Sequence, residues 1–205
     1  MSDISNIVVS LFAIATAISV HEFGHAYSAH LLGDDTAKMY GRMTLNPMKH
    51  VDPIGALMMV LVHVGWAKPV PINPNNFKSY KWGNFIVSLA GAGANIITAI
   101  IWAIITKVVF MYGNIFGSIS GEILIIANMV IAYNIGFAAF NLLPIPPLDG
   151  WGVVSTFIPL KFNEIVYKYE NMGYLILMLS IFTGAYRIII DPIRNILSSI
   201  VMLFL

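Results

Sequence analysis

Three residues within five positions could bind and use a divalent metal ion: His21, Glu22 and His25, in the order His-Glu-Phe-Gly-His. Successive residues of an α-helix turn by about 100°, so the two histidines lie about 40° apart on one face. Both imidazoles can then reach one point, and neutral imidazole is a good zinc ligand. Glu22 follows the first ligand directly, so its carboxylate can face a zinc-bound water as a general base without being a ligand itself.

The composition indicates a membrane protein. The chain is 58% hydrophobic and 10% charged, and its mean hydropathy is +0.80, whereas soluble domains average about 25% charged residues. We therefore predict an all-α polytopic membrane protein with about four to six transmembrane helices, forming a single integral-membrane domain over residues 1–205. A net charge of +1 gives no nucleic-acid footprint. The absence of cysteine leaves His, Asp and Glu as the available metal ligands.

Apolar runs of the length that a bilayer requires, about 20 residues, recur along the chain. The predicted spans are residues 4–32, 83–112, 122–143 and 172–190. The first carries the histidine motif, and Gly33-Asp34-Asp35 ends it. A chance match to the motif is less plausible there than in a polar helix, because ionisable side chains embedded in lipid are functional by default. The first basic residue is Lys38, so we expect this run to be a retained span rather than a cleaved signal.

The segments between and after these spans are less regular. Residues 54–66 are apolar but too short for an easy crossing, and favour a strand or re-entrant segment. Alternating prolines in residues 66–74 forbid a helix, so a re-entrant or β-hairpin segment is predicted near residues 54–74. Residues 154–171 resemble an interfacial amphipathic stretch. Asp191-Pro192 is expected to punctuate the last span, and the placement of residues 193–205 stays open.

Basic residues predict the orientation. Those between the first two clear spans are Lys38, Arg42, Lys49, Lys68, Lys78 and Lys81. The first six residues and the 113–121 loop have none. We therefore expect residues 33–82 to face the cytoplasm, with residues 54–66 dipping in and returning. This places the histidine motif towards the cytoplasmic half of a multi-pass protein of the cell membrane.

A third metal ligand must come from elsewhere in the chain. Asp149 is the strongest candidate, because it follows an apolar span and three prolines, where irregular backbone could carry it into a wet cavity. The alternative is that Asp149 caps the next helix. Asn95 lies in the second clear span, where a buried amide needs partners or serves a site. The glycines just before Asn95 are expected to serve helix packing alone.

The remaining histidines are expected to lie outside the metal site. His30 is about 140° around the helix from His25 and is predicted to be a bystander near the membrane surface. His50 is expected to be solvated in the polar 34–53 loop. His63 is expected to be structural, with a secondary role near the site left open.

Taken together, three separated motifs resemble the site-2 protease family of intramembrane zinc metalloproteases. They are His21 to His25, the small-residue run ending in Asn95, and Asn141 to Gly150, and the resemblance covers a catalytic core of about residues 5–155. The family usually carries Ala-Gly-Pro in the second motif, and this chain has Ala92 where the proline would fall. The chain resembles a compact form without a PDZ or CBS domain.

The resemblance implies one zinc ion per chain, with ligands His21, His25 and Asp149. It implies that Glu22 activates water, and that Asn95 and Asn141 position the substrate or stabilise the oxyanion. The implied partners are a transmembrane protein or peptide substrate and the lipid bilayer.

Two other functions stay open. One is a catalytically idle relative that binds membrane proteins, against which the presence of Glu22 argues. The other is a zinc carrier, which would usually show acidic or histidine residues along several spans.

Overall fold

The computed structural model describes residues 3–52, 54–55 and 67–205. The helices that organise these residues are α1 (Asp3–Leu31), α2 (Thr36–Met39), α3 (Tyr80–Met111), α4 (Gly113–Phe116), α5 (Ser120–Asn141), α6 (Asp149–Ser155), α7 (Asn163–Thr183) and α8 (Arg187–Met202). Single 3-10 turns cover Pro47–Lys49, Pro74–Asn76, Gly117–Ile119 and Leu160–Phe162.

Three of these helices, α1, α3 and α5, are long and apolar enough to cross a membrane. Helices α7 and α8 meet at an angle of 83° and add a fourth span if the pair counts as one. The prediction of an all-α polytopic membrane protein is therefore confirmed. The three spans predicted at 4–32, 83–112 and 122–143 begin and end within three residues of α1, α3 and α5.

The C-terminal prediction was wrong in its boundaries. The charged stretch that was expected to lie at the interface continues without a break into apolar sequence, so Asn163–Thr183 is one helix. It ends at Gly184, whose left-handed backbone (φ +73°) forms the C-cap. Asp191-Pro192 does not end a helix, because α8 begins at Arg187 and contains Pro192.

The core is built on α3, which packs against both α1 and α5. Small side chains allow these backbones to approach closely, as is usual between helices in lipid. A Cβ atom on Gly24 of α1, for example, would lie 2.6 Å from the carbonyl oxygen of Ala90. The largest buried apolar cluster joins α3, α5 and α8 through Ala92, Ala99, Ala103, Ile135, Ala138, Ala139, Leu197 and Val201.

The connection from α1 to α3 includes a non-helical segment of residues 67–73, which we call the strap. Val51 and Ala67 form an isolated antiparallel bridge that brings the start of the strap beside the loop preceding it. The predicted re-entrant run at 54–66 lies outside the described residues apart from 54–55, and so does His63.

The prediction for His50 was wrong. Its side chain is fully buried, and its Nε2 atom lies 2.8 Å from the carbonyl oxygen of Thr44. The polar loop folds back on itself around His50, whose backbone carbonyl oxygen also accepts a hydrogen bond from the N–H of Lys68 in the strap.

Candidate metal centre

Two imidazoles on α1 form one side of the site. The Nε2 atoms of His21 and His25 lie 3.0 Å apart, and both residues are buried. The rings meet edge to face, with centroids 4.6 Å apart. One turn of helix therefore brings both nitrogens to a single point, as the spacing predicts.

Asp149 reaches the same point from the other side of the bundle. It is the first residue of α6, and its Oδ2 atom lies 3.0 Å from His21 Nε2 and 3.1 Å from His25 Nε2. Leu148 is the N-cap and Asp149 caps nothing, so the helix-cap alternative was wrong. Gly150 allows the start of α6 to lie close to the chain at the end of α5, because a Cβ atom there would lie 2.2 Å from the carbonyl oxygen of Leu142.

The hydrogen-bond partner of each Nδ1 atom determines which nitrogen of the imidazole carries the proton. His25 Nδ1 lies 2.8 Å from the backbone carbonyl oxygen of Val87. A carbonyl oxygen can only accept, so Nδ1 must donate and Nε2 carries a lone pair. This is the arrangement in which a histidine binds a metal through Nε2.

His21 also carries its proton on Nδ1, which faces the side-chain amide of Asn95 on α3. His21 Nδ1 lies 2.8 Å from Asn95 Oδ1. The amide cannot be flipped without losing contacts, because Asn95 Nδ2 donates to the carbonyl oxygen of Ala17 and to Asn134 Oδ1, at 2.8 and 2.9 Å. His21 Nδ1 is therefore the donor, and the Nε2 lone pair points into the site.

These assignments leave three acceptor atoms facing one another with no proton between them. Asp149 Oδ2 is accordingly a buried oxygen without a hydrogen-bond partner. Such an arrangement is repulsive unless a cation lies between the atoms. The spacing of 3.0–3.1 Å is close to the edge of a tetrahedron around zinc, roughly 3.3 Å for bonds of about 2.0 Å. The residues thus fit a zinc ion with three protein ligands and one open position.

Glu22 lies beside this group but outside it. Its side chain is buried, and its Oε2 atom accepts a hydrogen bond of 2.7 Å from the backbone N–H of Val70 in the strap. The group whose donor atoms could share a metal comprises His21, His25 and Asp149. The position of Glu22 is thus that of a nearby base rather than a ligand.

Proteins similar in sequence to this chain are named as zinc metalloproteases. A protein of Bacillus subtilis (strain 168) named "Putative zinc metalloprotease YwhC" is 33% identical over 186 residues, covering 90% of this chain and 85% of the relative. A protein of Mycolicibacterium smegmatis named "Putative zinc metalloprotease Rip2" is 27% identical over 182 residues, covering 82% of this chain and 64% of the relative. No protein-family model and no solved structure matches. The chain belongs to this family of zinc metalloproteases.

Zinc is therefore the cofactor of this metalloprotease. The residues that could hold it come from both ends of its core, with His21 and His25 on α1 and Asp149 more than 120 residues later. A metal ion bound there would tie α1 to the chain that follows α5. The closed side of the site is made by α3, which supplies the partners Val87 and Asn95.

The two amides predicted to contact substrate occupy different environments. Asn95 is fully buried, and both ends of its amide are engaged by protein groups. Asn141 ends α5, is half-buried, and donates to the carbonyl oxygen of Phe137, whose ring lies edge-on to His21. The oxyanion role stays a prediction for both, and the contacts of Asn95 suit orientation of His21.

Two residues of the metalloprotease site were missed by the sequence reasoning. Asn134 of α5 is fully buried and holds the amide of Asn95. Gly91 of α3 lies against both histidines, since a Cβ atom there would be 2.6 Å from His25 Nε2 and 2.7 Å from His21 Nε2. The prediction that these glycines serve helix packing alone was incomplete, because the surface that Gly91 packs against is the metal site.

Proposed function

We propose that this metalloprotease is a site-2-type intramembrane endopeptidase that hydrolyses peptide bonds of membrane-spanning substrates. The observation that carries the proposal is the position of the ligands along the fold. His21 and His25 lie inside the apolar span of α1, and Asp149 lies just beyond the end of the span α5. A hydrolytic site built from spanning helices is suited to substrates that are themselves in the membrane.

The chemistry divides between the metal and the chain. Zinc held by the three ligands supplies Lewis acidity and lowers the pKa of water towards about 7. Glu22 takes a proton from the attacking water and delivers it to the leaving amine. The hydrogen bond from Val70 occupies one carboxylate oxygen of Glu22, and the other can serve this proton transfer.

A substrate helix must open before it can be cut, because its own hydrogen bonds shield the scissile carbonyl. The strap offers a place for the opened chain, since it carries no helix and touches the base through Val70. Pairing of an extended substrate with the segment at 54–74 is the mode of recognition that we propose. The partners are thus a transmembrane protein or peptide and the surrounding lipid.

The proposed setting is the cell membrane, with the basic connection between α1 and α3 on the cytoplasmic side. The bridge between Val51 and Ala67 supports this topology. Because these two residues pair, Val51 and Ala67 lie on the same side of the membrane in the proposed topology.

The membrane proteome decides between a protease and an idle relative. Cells that carry the wild-type protein should be compared with cells that carry Glu22→Gln. We expect at least one membrane protein to accumulate uncut with Glu22→Gln, because loss of a general base costs about 10²–10⁴ in rate. Indistinguishable proteomes under conditions where the protein is expressed would favour a binding protein instead.

Metal analysis of purified variants separates zinc binding from chemistry. His25→Ala and Asp149→Ala should lose zinc and activity together. Glu22→Gln should keep about one zinc per chain and lose activity, because a general base is not a ligand. A zinc-replete Asp149→Ala would remove Asp149 from the ligand set, and a zinc-free Glu22→Gln would make Glu22 a ligand.

A further inference from the structure

The strap is placed so that a single backbone donor meets the general base. Pro69 and Pro71 have no N–H group, so Val70 supplies the N–H donor between Lys68 and Ile72. That donor lies 2.7 Å from Glu22 Oε2. The Val70 side chain is also buried, in a cluster with Ala26 of α1.

Arg42 holds one end of the strap. Its side chain is only 8% exposed, and its Nη2 atom donates to the carbonyl oxygens of Lys68 and Pro69, at 2.7 and 3.2 Å. These carbonyls immediately precede Val70. A buried guanidinium that binds backbone oxygens fixes their direction, because its planar fork loses little freedom on bonding. The orientation of the Val70 N–H therefore depends on Arg42.

Asp34 holds the other end. It is fully buried, and its Oδ2 atom accepts from the backbone N–H of Asn73 at 2.7 Å. Its Oδ1 atom accepts from Asn76 Nδ2 at 2.7 Å and from the backbone N–H of Thr36 at 3.1 Å. Asp34 follows α1 directly, and its own N–H donates to the carbonyl oxygen of Ala29. The strap is thus tied to the same helix that carries Glu22.

We propose that Arg42 and Asp34 are positioning residues of the catalytic base. They hold the strap so that the Val70 N–H fixes one oxygen of the Glu22 carboxylate, which leaves the other oxygen aligned for the water. The proposal rests on the proposed function for its catalytic meaning. The requirement is physical, since a catalytic group displaced by about 1 Å can lose about 10²-fold in rate.

The hold of Arg42 and Asp34 on the strap, which we call the clamp, can be tested without any substrate. The test for Arg42 is amide hydrogen exchange of the zinc-loaded protein in detergent. The three prolines at 69, 71 and 74 leave few exchangeable amides in a peptide covering the strap. Arg42→Met removes the donors at similar length, and we expect exchange at Val70 to accelerate by about tenfold or more. Arg42→Lys keeps a donor and should restore most of the protection. Lys38→Met is the matched control, because Lys38 is an exposed cation of the same connection between α1 and α3.

Coupling to the base is tested in the same experiment. Glu22→Ala should accelerate exchange at Val70, whereas Glu22→Gln keeps an acceptor oxygen and should not. If Arg42 acts through Val70, the effects of Arg42→Met and Glu22→Ala on this amide will be less than multiplicative in the double variant. Unchanged exchange at Val70 in Arg42→Met, or independent effects, would overturn the proposal.

The catalytic consequence is measured on fluorescently labelled casein, an unfolded polypeptide that presents extended backbone. Arg42→Met and Asp34→Asn should keep zinc and lower kcat by about 10- to 100-fold with KM changed by less than about twofold. Arg42→Lys should recover most of kcat. Zinc loss in parallel with activity would show that the clamp serves the metal site, and a rise in kcat would show that the strap blocks the site. Failure of the proposed function would appear differently, as unchanged membrane proteomes with exchange at Val70 still dependent on Arg42.

Discussion

Adding one methyl group at Gly91 is expected to expel zinc from the site while leaving the helix intact. A Cβ atom there would lie 2.6 Å from His25 Nε2 and from His21 Cε1, and 2.7 Å from His21 Nε2. An ordinary contact begins at 3.4 Å, so the imidazoles must move by about 0.8 Å. Metal–ligand distances tolerate only about 0.2 Å. Because Gly91→Ala would displace two of the three proposed ligands at once, zinc affinity should fall by at least about 100-fold.

The chain supplies a matched control on the same helix. Gly93 has no atom within 4 Å of the position that a Cβ would take. Alanine is the better helix former by up to about 1 kcal/mol, so neither substitution should unfold α3. The assay is zinc content of the purified proteins, followed by competition with a chelator, with helicity from circular dichroism. Gly91→Ala with wild-type zinc affinity would refute the inferred contact between α3 and the ligands.

Three further variants test other parts of the structure. Asn141→Ala should keep zinc and lower turnover by about 10²–10³-fold if the amide is an oxyanion donor, whereas zinc loss would make it a structural support. Asn134→Leu should weaken zinc binding by about 10- to 100-fold in chelator competition, because the Asn95 amide can then rotate away from His21. Burial acts to raise the pKa of Asp34, but its hydrogen bonds outweigh burial and the pKa lies below its ordinary value. The stability of the wild type over Asp34→Asn, measured by thermal unfolding, should therefore be complete above about pH 4 and shrink as pH falls through the lowered pKa.

The spans and the approach of His21 to His25 could be predicted because their signals are local. Apolar run length sets a membrane helix, and one helical turn brings His21 beside His25 whatever the rest of the chain does. The boundary between α7 and α8 has no such signal. Charged residues near the start of α7 predict an interfacial stretch separate from the span, but a helix continues through charged residues wherever its backbone hydrogen bonds are kept. The glycine at 184 ended the helix, and the proline at 192 did not.

Buried amides show where local reasoning ends. An unpaired amide in an apolar span is costly, so any asparagine of α5 is a candidate for a site. Asn128 and Asn134 both satisfy that rule, yet the first is exposed and the second is fully buried. Six residues turn a helix by about 600°, so the two lie on different faces. Asn134 is the one that meets Asn95 of α3, and that contact depends on how the helices pack against one another.

The polar loop after α1 shows the same limit of sequence-based prediction, here for residues expected to be solvated that are in fact buried. Its charges predicted a cytoplasmic, solvated connection, and several of its residues, Lys38 among them, are indeed exposed. Asp34, Arg42 and His50 are nevertheless buried. Arg42 and His50 lie against backbone carbonyl oxygens of the strap and of the same loop, and Asp34 accepts hydrogen bonds from backbone N–H groups and from the side chain of Asn76. A backbone carbonyl leaves no trace in the identity of the residue that carries it, so such partners cannot be read from a sequence. The residue types nevertheless make physical sense, since hydrogen bonds offset the cost of burying a charge, and the Arg42 guanidinium and the Asp34 carboxylate each make more than one. Arg42 and Asp34 bind the strap at Lys68 and Asn73, and the strap contacts Glu22 through Val70. Under the proposed function, this loop is therefore part of the active site rather than a linker between two spans.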